Sequence, residues 1–246
     1  MTTPHDGTLE THVITLTAPA GLDEPVALDL SVDGARPVTP ELVAEVNDLC
    51  DRAEDALPGA YVLLRLSGAP QGPWTAAGQG IQLVNRWERA LRRLERLPVA
   101  TVALAEGDCG GAAFELLLAT DHRLARHDLR LFPPAGGDGM WPGMALYRLV
   151  NQVGVAGSRR AVLLGAPVTA ERALALHLVD AVTDGDPAEA LPETAALLGG
   201  PAGIELAIRR RLMLDAATTP FEESLGRHLA ACDRVLRRAA GEAVEA

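Results

Sequence analysis

The sequence predicts an α/β fold, and three observations lead there. Strand patterns and amphipathic helix patterns alternate between residues 26 and 182. A glycine-rich turn at residues 106–111 carries one apolar strand straight into an apolar helix. After residue 188 strand patterns stop and only helical periodicity remains, so a helical region follows the α/β part.

The elements can be justified in order. Residues 13–17 and 26–32 alternate apolar and polar side chains, as half-buried strands do. Thr39 and Pro40 open a helix, Thr as N-cap and Pro at its first position, with Leu42, Val46, Leu49 and Ala53 as its apolar stripe. Residues 61–66 read as a buried strand, and residues 67–80 as a loop rich in Gly and Pro. Residues 81–97 form an amphipathic helix with Val84, Trp87, Leu91 and Leu94 on one face, ended by Pro98.

Residues 99–105 are the next strand, and the turn through Gly110 and Gly111 leads into a helix over 112–119. A short strand at 129–132 precedes a second glycine-rich loop at 133–139. Helices follow at 144–153, 157–164 and 169–176, the last capped by Thr169, and then a strand at 179–182. Three further helices cover 188–198, 204–214 and 221–240, with a capping box over Thr219, Pro220, Phe221 and Glu222. Phe221, Leu225, Leu229, Cys232 and Leu236 stripe the last helix and must be buried on this core or on another subunit.

Composition excludes several classes of function. The 246 residues suit one sizeable domain, or a domain with a helical appendage. The net charge is −11, with 33 acids against 22 bases, which disfavours binding to a phosphate backbone. Every base is Arg, so a Schiff-base lysine and a P-loop lysine are both excluded. No stretch is long and apolar enough to span a bilayer. Residues 1–10 are polar, with no apolar signal core, and are expected to form a mobile tail on a cytoplasmic protein. Cys50, Cys109 and Cys232 form no Cys-x-x-Cys, and the six histidines show no metal spacing, so no metal site is expected. Cys109, in the glycine-rich turn, is either a small core residue or a nucleophile.

The chemistry-bearing segment runs from Gly110 to Leu118. Small residues at a helix start let a ligand approach the backbone, and the first turn offers unpaired N–H groups and a positive dipole end. That combination can hold a developing oxyanion. Glu115 interrupts the apolar run that follows. A carboxyl there is either buried, with its pKa raised toward the range of acid–base work, or paired with an Arg or turned to solvent. Asp138, within Gly136 to Gly139, is a second candidate acid or a surface turn residue.

Taken together, residues from 26 to the last helix resemble the crotonase, or enoyl-CoA hydratase/isomerase, superfamily. Pro98 and Val99 through Gly107, Gly111, Glu115 and Asp121 look like its strand–glycine–helix core. The segments Gly139 to Gly143 and Tyr147-Arg148-Leu149, and then residues 165–180, are similar to its later motifs. The resemblance implies a ClpP/crotonase-like spiral of ββα units over residues 11–200 and a helical trimerisation region over 201–246. It also implies an acyl-CoA substrate, with coenzyme A entering as part of the substrate and no further cofactor.

By position, the thioester oxygen would be held by the backbone N–H of Gln79 and that of Ala112 or Gly111. Glu115 falls on one of the two hydratase glutamates, and Ala135 on the other. Asp138 is the nearby candidate for the missing group. His177 stands where the family has Gly, so the local turn is expected to differ.

Within the superfamily, residues 83–91, 107–111 and 141–149 look like the DpgB-type enzymes of 3,5-dihydroxyphenylglycine biosynthesis. That likeness implies dehydration of a polyketide-CoA to 3,5-dihydroxyphenylacetyl-CoA, with antibiotic precursor supply as the setting. The implied partners are a type III polyketide synthase and a second crotonase homologue, and the implied assembly is a homotrimer or hexamer. Other crotonase reactions on a different acyl-CoA, isomerisation or thioester hydrolysis, and a non-catalytic role beside the synthase are the alternatives.

Overall fold

The computed structural model describes residues 27–57, 59–71, 80–134, 143–198 and 203–245. The strand expected at 13–17 and the tail at 1–10 lie outside them. Among the described residues seven strands form one sheet. Its path is β1 (Ala27–Asp33), β2 (Tyr61–Gly68), β3 (Ala100–Gly110), β4 (His122–Arg126) and β7 (Ala181–Thr183), each parallel to its neighbour. The α/β prediction holds.

β3 changes partner along its length. Val102 to Ala105 pair with β4, whereas Asp108 to Gly110 pair with β5 (Arg130–Phe132). β5 in turn pairs antiparallel with β6 (Val168–Thr169). Residues 106–110, expected as a turn, are therefore strand, because β5 pairs with their end from some twenty residues further on.

Helices α1 (Pro40–Glu54), α2 (Ile81–Leu94) and α3 (Gly111–Leu118) contribute to the main core with one face of the sheet. Thr39 caps α1 by accepting from the Leu42 N–H at 3.2 Å. The buried stripe of α1 is Val43, Val46, Leu49, Cys50 and Ala53, and Leu42 packs half-buried at its edge. On α2 the buried face is Leu83, Trp87, Ala90, Leu91 and Leu94, and Val84 sits at its edge. α2 ends at Leu94, earlier than expected, because Pro98 disfavours helical Leu97. Tighter i→i−3 bonds from Arg96 to Arg93 (3.0 Å) and from Leu97 to Leu94 (3.3 Å) finish it.

The opposite sheet face buries Tyr61, Leu63, Val102, Leu104 and Leu124 under the 3₁₀ turn Pro187–Ala190 and the start of α6 (Leu191–Leu198). Burial on both faces explains the consecutive apolar residues Tyr61 to Leu64 of β2.

β4 carries no strand alternation in its sequence. Its three buried residues, Arg123, Leu124 and Ala125, are consecutive and include a charge. The guanidinium of Arg123 donates to the carbonyls of Leu118, Thr120 and Leu178 and to Gln152 Oε1, at 2.8–3.3 Å. Such a residue looks like surface until its partners are known.

α4 (Ala145–Leu164) is broken at Gly154, whose φ of 71° and ψ of 167° leave the helical region, in keeping with the two helices expected there. α5 (Ala170–Ala175) has Thr169 as N-cap, as expected. It closes in a Schellman motif: Leu178 N–H donates to Ala173 O at 2.8 Å and His177 N–H to Leu174 O at 3.0 Å. His177 occupies the left-handed position at φ 55°. The backbone thus adopts there the conformation that glycine favours. Changing His177 to Gly is expected to raise stability by about 0.5–1 kcal/mol, the relief of left-handed strain less the added freedom of the unfolded chain, read from thermal melts.

α7 (Ile204–Ala216) docks through Arg210, which is 5 % exposed. α8 (Phe221–Glu245) leaves Phe221, Leu225, Leu229 and Leu236 exposed, so its stripe is not buried on this core. Among the described residues no helix is long and apolar enough to cross a membrane.

Candidate active site

The ends of β1, β2 and β3 converge on the start of α3 with almost no side chain between them. A Cβ on Gly34 would lie 2.1 Å from Gly110 O and 2.6 Å from Gly68 O, and one on Gly111 would lie 2.5 Å from Gly34 O. Gly111 also has a φ of +49°. Backbone packs on backbone here, and only glycine allows it. The N-cap of α3 is Gly110, and no side chain caps the helix. The N–H groups of Gly111 and Ala112 thus stand at an uncapped helix start, where partial positive charge collects.

Glu115 lies one turn further along α3. Every residue of this helix from Ala112 to Leu118 is buried, Glu115 included at 7 % exposure. The alternative of a solvent-facing Glu115 is ruled out. Its carboxylate accepts a hydrogen bond at Oε2 from the indole N–H of Trp87, a residue of α2 with no exposed surface. Burial pushes the Glu115 carboxyl up to about 7; the Trp87 bond opposes the rise, the charge of Glu88 adds to it, and that of Arg148 opposes it. A carboxyl titrating near neutrality can both take and return a proton.

Beside this acid stands an ion cluster in which Arg148 is buried and Glu88 and Glu95 are half-buried. Arg148 of α4 donates to Glu88 at 3.0 Å and to Glu95 at 2.5 Å, and Glu88 also accepts from the Met144 N–H at 3.1 Å. These bonds fix α2 against the start of α4.

Gln79, Asp138 and Ala135 lie outside the described residues. Cys109 is fully buried in β3, and burial pushes its thiol up to about 12, which removes it as a nucleophile at neutral pH. Among the described residues no cluster of His, Cys, Asp and Glu could hold a metal ion. A cleft of about 1020 Å³ opens at the ends of β1 to β3, lined by acids and guanidiniums that include Asp33, Arg36, Arg65, Glu106 and Arg126. Glu115 does not line it.

A family model described as enoyl-CoA hydratase/isomerase matches residues 75–219. A protein of Amycolatopsis orientalis named enoyl-CoA-hydratase is 50% identical over 214 residues, 87% of this chain and 97% of that one. The chain belongs to the enoyl-CoA hydratase/isomerase family. The fold agrees with that of solved family structures. An enoyl-CoA hydratase/isomerase from Marinobacter aquaeolei superposes with a TM-score of 0.72 at 16% identity, over 88% of this chain and 90% of that one. An enoyl-CoA hydratase from Shewanella pealeana does so with a TM-score of 0.70 at 18% identity, over 87% and 86%. The crotonase fold expected from the sequence is therefore the fold of the chain.

In this enoyl-CoA hydratase/isomerase family member, the polar surroundings of Glu115 come from α2 and α4, far from it in sequence. By pattern Trp87 is one of the apolar face of its helix, and Glu88 and Arg148 belong to family-like strings at 83–91 and 141–149. A signal did exist: a buried indole N–H needs an acceptor, and a carboxyl inside an apolar helix needs a donor.

Proposed function

We propose that the chain binds an acyl-CoA, stabilises its thioester enolate, and dehydrates a polyketide-CoA to give the aromatic 3,5-dihydroxyphenylacetyl-CoA. One observation supports this most: a single buried carboxyl, Glu115, stands a turn away from the uncapped amides of Gly111 and Ala112. The thioester oxygen would accept from the Ala112 N–H, with Gly111 or Gln79 as the second donor. Glu115 would take the proton next to the carbonyl, and the amides and helix dipole would hold the charge that moves onto oxygen. As the enolate collapses, its electron pair forms the new double bond and the C–O bond breaks. The proton on Glu115 then goes to the departing hydroxide, and water leaves. One carboxyl titrating near 7 can serve both halves in turn, so the cycle does not depend on a glutamate at position 135. Asp138 remains a candidate for a second acid. The exposed stripe of α8 supports a homotrimer or hexamer in which it meets other copies.

The test adds the protein to a type III polyketide synthase supplied with malonyl-CoA. Faster formation of the aromatic thioester, together with a stability gain of about 2.7 kcal/mol at a hundred times the dissociation constant of phenylacetyl-CoA, is the expected result. Unchanged chemistry with a tight synthase complex would favour a non-catalytic partner, the reading that Ala135 keeps open.

A further inference from the structure

The Trp87–Glu115 contact joins two buried groups from different helices. Trp87 sits on α2 with no exposed surface, and Glu115 sits in α3 among side chains that are otherwise apolar. Among the described residues, the indole N–H is the only hydrogen-bond donor to this carboxylate, and it reaches Oε2. The neighbouring residue of the same helix, Glu88, is tied to α4 through the Met144 N–H and Arg148, and Glu95 one turn further accepts from Arg148 as well. The indole is thereby held on one side by core packing and on the other by ion pairs anchoring its own helix.

We propose that Trp87 is a positioning residue: its indole N–H holds Oε2 of Glu115 and leaves Oε1 as the oxygen that exchanges the proton with the thioester. The inference rests on the enolate reading above. An N–H donor favours the charged carboxylate, so Trp87 also assists, against burial, the basic form of Glu115 that begins the cycle. The other charges facing the carboxyl are Glu88 on α2, which opposes ionisation, and Arg148 on α4, which assists it. An ordinary core tryptophan would contribute packing and nothing to this balance.

The experiment follows exchange of the α-protons of phenylacetyl-CoA into D2O, as a function of pH, for the wild type and Trp87→Phe. The Phe variant keeps an aromatic ring and removes the donor. Its kcat should fall about tenfold to a hundredfold with little change in KM, because the reacting oxygen is no longer fixed. The limb on which activity rises with ionisation of the acid should move to higher pH. A variant with the wild-type rate and an unmoved limb, or with a lower rate and an unmoved limb, overturns the proposal.

Should Trp87→Phe fail to fold, a measurement on the wild type decides. The chain has three tryptophans, Trp74, Trp87 and Trp141, whose indole N–H resonances are assigned from single Phe substitutions at 74 and 141. The Trp87 resonance should shift with pH around neutrality, and Glu115→Gln should abolish the shift. A resonance unmoved between about pH 5 and 9 overturns the proposal, since no carboxyl titrates beside the indole. If the shift is present and Glu115→Gln still exchanges protons at the wild-type rate, the enolate reading has failed and the positioning role falls with it, although the contact itself is real.

Discussion

Replacing Arg210 with Ala is expected to lower the unfolding free energy by about 2–4 kcal/mol, because the buried carbonyls of Leu97 and Val99 lose a charged donor and Asp121 loses its ion pair. Its Nε donates to Asp121 Oδ1 at 2.6 Å and its Nη2 to Oδ2 at 2.5 Å. The same guanidinium donates to the carbonyls of Leu97 at 2.6 Å and Val99 at 3.0 Å, beside Pro98 between α2 and β3. Asp121 in turn accepts from both the N–H and the hydroxyl of Thr101 at 2.9 Å. One side chain from α7 thus ties together the start of β3, the end of α3 and the C-terminal helices. Urea denaturation of Arg210→Ala checks the magnitude. Asp121→Asn in the same background should cost much less than it does alone, because the two residues act as one unit. A loss under about 1 kcal/mol would show that α7 does not depend on this anchor.

The second large effect is expected at Glu115. Exchange of the α-protons of phenylacetyl-CoA should fall at least about a hundredfold in Glu115→Gln, the contribution of a positioned acid–base group. The same substitution has an opposite effect on stability, and the sign follows from the titration. In the fold the carboxyl titrates near 7, against an ordinary value of 4.5. Because the folded pKa is the higher one, the favourable contribution is complete below about pH 4.5 and is lost as pH rises through 7. Above that range the wild type carries a penalty of roughly 3 kcal/mol relative to acid conditions. Gln does not titrate, so the stability of the wild type relative to the variant should decline by that amount between about pH 5 and 8. Parallel stability curves for the two proteins over this window would show that Glu115 does not titrate there.

Much of this architecture is legible in local patterns. The Thr39 and Thr169 caps, the strand at 61, the strand–glycine–helix junction and the break in α4 each arise from residues close in sequence, and the structure has them where the patterns put them. What was not legible depends on partners far away in sequence. The extension of β3 through Gly110 needs β5, some twenty residues on, and β4 needs the carbonyls that satisfy Arg123. At the site, Glu115 stood out as an acid in an apolar helix. Its donor, Trp87, lies 28 residues earlier and resembles any other core aromatic.

The exchange of neighbours halfway along β3 also bears on how the molecule can open. Its first half is clasped between β2 and β4, and its last residues are sewn to β5, which is itself latched to β6. A small excursion would have to break pairings on both sides of this strand, so its amide hydrogens are expected to exchange with solvent among the slowest in the chain, as hydrogen-exchange measurements would read. The peptide groups that begin α3 are mounted directly on that strand, and they inherit its stillness rather than the give of a surface loop.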